Sequence, residues 1–269
     1  NRLSLGIQTA NPCELKLLER HHDFFDVIHA AAWARKAGFD NFNLDLIFAL
    51  PGQDLASWQR TLDLALQINP QHLSLYALTI EHGTPFGHWV QRGILAEPDG
   101  DLAAEMYETA SETMEIEGYA QYEISNWARH AAATPLEPTE NPDFACRHNL
   151  QYWRGLPYLG LGAGAHGYAA GFRTANVLAP QSYIRRLLNQ TTSANDLAFP
   201  QTPATQVANF IETADEIGET MMMGLRLTRE GVSEQDFQDR FQRPLYPIFR
   251  NQIDRLTGYG LLEWEKEKP

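Results

Sequence analysis

The sequence predicts an α/β protein with parallel strands, followed by a small helical appendage. Three observations carry that expectation. Apolar strand-like runs alternate with segments of helical period through the first eighty residues, the spacing that parallel βαβ units require. A chain of 269 residues suits one large domain, or a domain with an appendage. After residue 203 the pattern changes to successive helical segments.

The elements follow in order. "RLSLGIQ" (2–8) alternates and runs apolar like a buried strand, already at the second residue. "CELKLLER" and "FFDVIHAAAWARKAG" have helical spacing, the second closing on Gly38 as a helix C-terminus does. "NFNLDLIFAL" (41–50) is a strand stopped by Pro51-Gly52. "LASWQRTLDLALQI" (55–68) is a helix ending at Asn69-Pro70, and "HLSLYALTI" (72–80) a third strand. "TPFGHWVQRG" is short and amphipathic, residues 101–118 read as a helix, and "YAQYEISNWA" (119–128) as one strand. Residues 129–143 carry three prolines and no period, so they form a loop. A loop holding "ACRHNLQYWRG" (145–155), the run "YLGLGAGAHGY" (158–168) and a helix near 181–189 come next, then a linker-like stretch at 190–203. Residues 205–227, 233–241 and 245–260 read as three helices, and "LLEWEKEK" as the strand of a wing. The expected organisation is therefore a main domain at 1–189, a linker at 190–203, and a winged-helix-like domain at 204–269 that stops inside its wing.

Composition narrows the function classes. Hydrophobic residues make up 43% and charged residues 20%, as in folded, soluble proteins. No apolar run reaches the ~18 residues of a membrane span, and the first residues lack the basic-then-apolar pattern of a secretory signal. A formal charge of −13 with no basic block argues against nucleic acid and anionic lipid as partners. Cys13 and Cys146 cannot build a disulfide framework and suit a reducing, cytoplasmic location. There is no G-x-S-x-G, no zinc spacing and no carboxylate pair to support hydrolytic chemistry.

Ligands in parallel α/β folds sit at the C-terminal ends of strands. Gln8 closes the first strand, Asp45 interrupts the second, and Arg20 follows Gln8 by twelve positions near the end of a helical segment. An arginine can hold a carboxylate bidentately, and a buried aspartate needs a hydrogen-bonded partner. Spacing alone leaves two readings open: a polar ligand site, or a structural Asp–Arg pair with a surface Gln.

"RLSLGIQTANPCELKLLER", "NLDLIFALPGQ" and "HLSLYALTIEHGTPF" resemble, in order, the middle of the radical S-adenosylmethionine (SAM) family that includes oxygen-independent coproporphyrinogen III oxidase and haem chaperones. The similarity continues through "YEISNWA", "RHNLQYW", "YLGLGAGAH" and "MMMGLRLTREGV", nearly the whole chain. The resemblance implies an incomplete TIM-like β/α barrel of radical SAM type. It also implies Gln8, Arg20 and Asp45 as polar contacts to SAM, with Arg20 on its methionyl carboxylate and Ile47 packing nearby. The family's C-x-x-x-C-x-x-C, whose thiolates hold a [4Fe–4S] cluster, is not in this sequence. The expectation is truncation: three βα units of ~30 residues, about 90 in all, would carry the cluster loop.

In this family H-N-x-x-Y-W marks the haem-chaperone branch, and here it is His148-Asn149-Leu150-Gln151-Tyr152-Trp153. The resemblance implies His148 as a ligand of haem iron, with Asn149, Tyr152 and Trp153 around the macrocycle and Arg147 on a propionate. Imidazole is a common axial ligand and aromatic faces pack on porphyrin. Without the resemblance, His148 reads as a hydrogen-bonded structural residue; Cys146 reads as a small buried hydrophobe, with a haem-ligating thiolate as the alternative. The glycine-rich run is either an anion cradle or a close backbone packing, His166 is a secondary haem candidate, His21 and His22 read as helix-end polar residues, and Met221–Met223 as core. The function implied is haem binding and delivery to acceptor proteins, respiratory enzymes among them, with coproporphyrinogen III oxidation as the alternative. A homodimer and a peripheral position at the inner face of the membrane belong to the same set of expectations.

Overall fold

The computed structural model describes residues 1–131, 135–189 and 197–265. They form two compact units, one of residues 1–146 with 228–230, the other of residues 147–227 with 231–265.

In the first unit, β1 (Leu3–Gln8) leads into α1 (Pro12–Leu17), capped by the Asn11 side chain on the Cys13 N–H with Pro12 in the first turn. The helix α2 (Phe24–Lys36) starts from a reciprocal Asp23/Asp26 capping box and ends before Gly38, whose φ of 87° is open to glycine at no steric cost. Next come β2 (Phe42–Phe48), α3 (Leu55–Gln67) capped by Asp54, β3 (His72–Ala77), α4 (Pro85–Gln91) and α5 (Gly100–Ile116). The expected single strand at 119–128 is instead a hairpin, β4 (Tyr119–Glu123) and β5 (Asn126–Arg129). Its alternation runs through the turn because Glu123 and Asn126, both buried and polar, pair across it.

The five-stranded sheet has the order β1-β2-β3-β5-β4. Its first three strands are parallel, β5 is antiparallel to β3, and β4 to β5. It is open, with β1 and β4 at its edges, as a part of a barrel would be. One face is apolar: Ile7, Phe42, Leu44, Leu46, Phe48, Leu73 and Leu75 pack with Trp58 and Leu62 of α3 and Met106, Ala110 and Met114 of α5. Strand geometry sends alternate residues to the other face, which carries Asn43, Asp45 and Ile47 from β2 and His72, Ser74 and Tyr76 from β3.

The second unit contains α6 (Arg147–Trp153), α7 (Pro180–Asn189), α8 (Thr213–Gly224), α9 (Glu234–Phe241) and α10 (Leu245–Gly258). It also has an antiparallel sheet of β6 (His166–Ala169), β7 (Phe172–Asn176) and β8 (Thr205–Phe210). The helix expected over 205–227 is a strand followed by a helix, since pairing with β7 overrides local propensity in residues 205–210. Ile217, Met221, Phe237, Phe241, Leu245 and Ile253 make its helical core. Met221 is thus core, whereas Met222 is exposed. Leu261–Glu265 form no strand; the remainder of the expected wing and residues 190–196 of the expected linker lie outside the described residues.

The glycine-rich run is a close packing of backbones. A Cβ on Gly160 would stand 2.4 Å from the His166 carbonyl oxygen, and one on Gly167 would stand 3.0 Å from the Gly160 nitrogen. Because those neighbours are backbone, Gly160→Ala should destabilise the second unit by about 1–3 kcal/mol. Urea unfolding checks this: Gly218→Ala, at a helical glycine with open space around it, should leave the midpoint unchanged or raise it.

Candidate functional site

The polar face of the first sheet is built around Asp45. The Ser4 hydroxyl donates to Asp45 Oδ2 (2.6 Å), and the Asn43 amide donates both to Asp45 Oδ1 (2.8 Å) and to Ser4 Oγ (2.8 Å). Both carboxylate oxygens are thereby fixed, and the half-exposed group keeps further lone pairs for a ligand. Asp45 is therefore held by Ser4 and Asn43 rather than by an arginine, which removes the structural Asp–Arg pair.

Gly6 stands opposite Asp45 in the β1–β2 register. A Cβ at Gly6 would lie 2.7 Å from Gln8 Nε2, so the Gln8 amide folds over the glycine, beside Asp45. Gln8 adopts a left-handed φ of 61°, where the register of β1 shifts. Ile47 follows Asp45 on the same face, opposite Tyr76. Gln8, Asp45 and Ile47 are thus neighbours. Arg20 is exposed in the turn after α1, with its N–H on the Leu15 carbonyl (2.9 Å). Two residues on, His22 Nε2 lies 3.3 Å from the Ile7 carbonyl, which brings this turn back to the end of β1. Among the described residues the Arg20 guanidinium has no ion-pair partner.

Sequence reasoning missed the groups that hold this arrangement. Glu14 is buried, and its carboxylate accepts from the Thr9 hydroxyl, the Asn11 amide (3.3 Å), the Gln53 amide (3.0 Å) and the Ser57 hydroxyl (2.7 Å). It ties the loop after β1 to the loop after β2. His72 is almost fully buried, with Nδ1 2.7 Å from Asn43 Oδ1 and Nε2 2.7 Å from the Tyr122 hydroxyl. Burial, and secondarily the charge of Arg2, hold His72 well below the usual imidazole range, at about 3, so it is neutral. A signal for these residues exists: polar side chains recur at alternate positions of two otherwise apolar strands, Asn43 and Asp45, His72 and Ser74.

The segment expected as a loop at 145–155 contains the helix α6. It has no proline or glycine before Gly155, and Leu150 anchors it by burial. His148 and Tyr152, one turn apart, share a face and meet edge-on at 4.9 Å between ring centroids, with Tyr158 4.7 Å beyond Tyr152. His148 is exposed, Asn149 half-buried and Arg147 exposed. Trp153 takes the Arg226 guanidinium over its ring at 4.3 Å. Cys146, just before α6, is half-buried, and His166 is exposed at the start of β6. Gln8, Arg20, Asp45 and Ile47 lie in the first unit; Arg147, His148, Asn149, Tyr152 and Trp153 lie in the second.

Comparison with known proteins gives four findings. Residues 211–268 match the family model described as the HemN C-terminal domain. The chain is 37% identical over 262 residues to the heme chaperone HemW of Bacillus subtilis, covering 97% of this chain and 63% of that protein. It is 34% identical to the mitochondrial radical S-adenosyl methionine domain-containing protein 1 of Mus musculus, covering 97% of this chain and 56% of that one. The solved structure of coproporphyrinogen III oxidase (HemN) from Escherichia coli, described as a radical SAM enzyme, superposes with a TM-score of 0.69 at 18% identity, over 97% of this chain and 57% of that one. The chain spans less than two thirds of the length of these relatives.

Proposed function

The chain belongs to the radical SAM family that contains HemN and HemW, and from that premise we propose that it binds haem and delivers it to acceptor proteins. The observation that carries the reading is α6: an exposed imidazole, His148, presented on one helical face with Tyr152 packed edge-on against it. Imidazole supplies a bond to iron, the tyrosine supplies an apolar wall, and exposed Arg147 offers a propionate partner. Exposure also suits delivery, because an acceptor's own ligand can reach an iron that is not enclosed. The names of the HemW relatives support the reading, while the likeness to HemN supports the fold alone.

SAM fits the first unit: an immobilised Asp45 carboxylate, the Gln8 amide and side-chain-free Gly6 lie together, Ile47 would be an apolar contact, and Arg20, in the turn that His22 brings to the end of β1, would take the methionyl carboxylate. The cofactor would supply a sulfonium and, with a cluster, a radical source. The cluster itself finds no ligand set here. Among the described residues no three His, Cys, Asp or Glu side chains could hold a metal ion. As family modules, residues 1–189, the linker 190–203 and the domain 204–269 remain our division; the HemN C-terminal match falls inside the last. We place the protein in the cytoplasm, with a position at the inner membrane face and a homodimer as parts of the same reading; among the described residues no helix is long and apolar enough to cross a membrane.

Titrating the full-length protein with haemin tests the proposal. The wild type should develop the Soret band of protein-bound, nitrogen-ligated haem, and His148→Ala should shift or abolish it. Tyr152→Ala and Trp153→Ala should weaken binding while keeping the ligation signature, and Cys146→Ser should leave the spectrum alone. An unaltered spectrum and affinity in His148→Ala rejects this histidine as ligand. Conversion of coproporphyrinogen III by the anaerobic, cluster-loaded protein would instead favour the oxidase.

A further inference from the structure

A single file of hydrogen bonds runs from Asp45 to the residue before α6. The Asn43 amide donates to Asp45 Oδ1 at 2.8 Å; Asn43 Oδ1 faces His72 Nδ1 at 2.7 Å; His72 Nε2 faces the Tyr122 hydroxyl at 2.7 Å; and the Cys146 N–H donates to that hydroxyl at 3.2 Å. Every one of these residues belongs to the first unit, and Cys146 is its last residue before α6.

The chemistry fixes the direction of each bond. Asp45 is an acceptor, so the Asn43 NH2 must point to it, which leaves Asn43 Oδ1 to accept from the Ser74 hydroxyl (3.2 Å) and from His72. His72 therefore carries its proton on Nδ1. Being neutral, it accepts at Nε2, so the Tyr122 hydroxyl donates to it and has its oxygen free for the Cys146 N–H. From Cys146 to Asp45 every donor points toward the carboxylate, and such aligned bonds polarise one another. Reversing one link requires reversing or breaking its neighbours, because His72, Tyr122 and Asn43 are all buried and have no water to exchange with.

We propose that His72 and Tyr122 are positioning residues that link the Asp45 cofactor site to the backbone entering α6, so that SAM and haem bind with coupled affinities. The inference rests on the haem-carrier reading of α6 and deepens it. A cation or N–H donor arriving at a further lone pair of Asp45 draws charge from the carboxylate, which weakens the bond Asn43 donates and, through it, each bond behind it. The last of these holds the amide of Cys146, two residues before His148. Linkage requires the effect to be reciprocal, SAM changing haem affinity by the factor by which haem changes SAM affinity.

The test measures haemin dissociation constants on the full-length protein with and without saturating SAM. Wild-type protein should show at least about a fivefold change, the lower range of allosteric couplings. Tyr122→Phe keeps the ring and deletes the hydroxyl, so the ratio should fall to one whatever the variant's affinity for each ligand alone. If that variant does not fold, His72→Gln, whose amide can donate and accept, should retain part of the coupling, and His72→Leu should lose it. A coupling ratio preserved in Tyr122→Phe or His72→Leu overturns the proposal. Wild-type protein that binds haem with an affinity indifferent to SAM overturns it too, and leaves the haem-carrier reading standing. Failure of the wild type to bind haem removes both.

Discussion

Trp58→Ala is expected to lower the unfolding free energy of the first unit by about 3–5 kcal/mol, a large part of the stability of any single domain. Trp58 is fully buried between the sheet and α5, its ring 5.4 Å from that of Phe48, and its indole N–H donates to the Met106 carbonyl at 2.9 Å. Truncation leaves a cavity beside Leu62, Met106 and Phe48, and strips a buried carbonyl of its donor at a cost of about 1–3 kcal/mol. Trp58→Phe refills most of the cavity, so it should recover much of the loss but not the carbonyl's share. Trp33→Ala is the control: that indole is 70% exposed on α2, and its removal should stay within about 0.5 kcal/mol. Urea unfolding followed by circular dichroism separates the three. A Trp58→Ala midpoint equal to that of Trp33→Ala would refute the packing of α3 on α5.

Arg20→Ala should weaken SAM binding by about 2–4 kcal/mol, provided the cofactor's carboxylate is desolvated against the guanidinium. That corresponds to roughly 30-fold to 1,000-fold in dissociation constant. Asp45 is already held by Ser4 and Asn43, which leaves Arg20 available to an external anion. Arg20→Lys keeps the charge without the fork and should fall between the two, since a lysine cannot engage both carboxylate oxygens in parallel. Calorimetry on the full-length protein gives the answer, and equal affinities for wild type and Arg20→Ala dismiss Arg20 from the site.

The α/β class and the parallel order of the first three strands were legible because the strand-helix-strand spacing leaves few alternatives. The likeness to HemN and HemW was legible in ordered motifs, each weak alone. What escaped is instructive. The β4–β5 hairpin hid inside one alternating run because its turn, Ile124-Ser125, contains no glycine, proline or asparagine to mark it. Helix α6 reads as a loop because seven residues with one buried anchor, Leu150, are too short to show an apolar stripe of helical period. The strand β8 read as helix because only pairing with β7 decides it. Gln8 could be picked from the sequence as a strand-end polar residue, Asp45 as a charge inside an apolar strand, and Arg20 by its spacing from Gln8. Of their supports, Asn43 and His72 left a trace as polar residues alternating in apolar strands, whereas Ser4, Tyr122 and Glu14 did not, since their roles depend on contacts with Asp45, His72 and Gln53, far from each in the chain.

The two-sided character of β2 has a consequence for how the chain finds its fold. Side chains alternate with a period of two, so sliding β2 by one residue against its neighbours would turn Asn43 and Asp45 toward Trp58 and Met106, and push Leu44 and Leu46 out among Ser4, His72 and Ser74. Each error is penalised twice: apolar area is left in contact with polar groups, and a carboxylate and an amide enter the core without donors. Parallel pairing is slow to form because its contacts are distant in sequence, which gives misaligned pairings time to compete. The polar face therefore acts as a proofreading surface for strand assembly, adding to the hydrophobic penalty on shifted alignments a second one of its own.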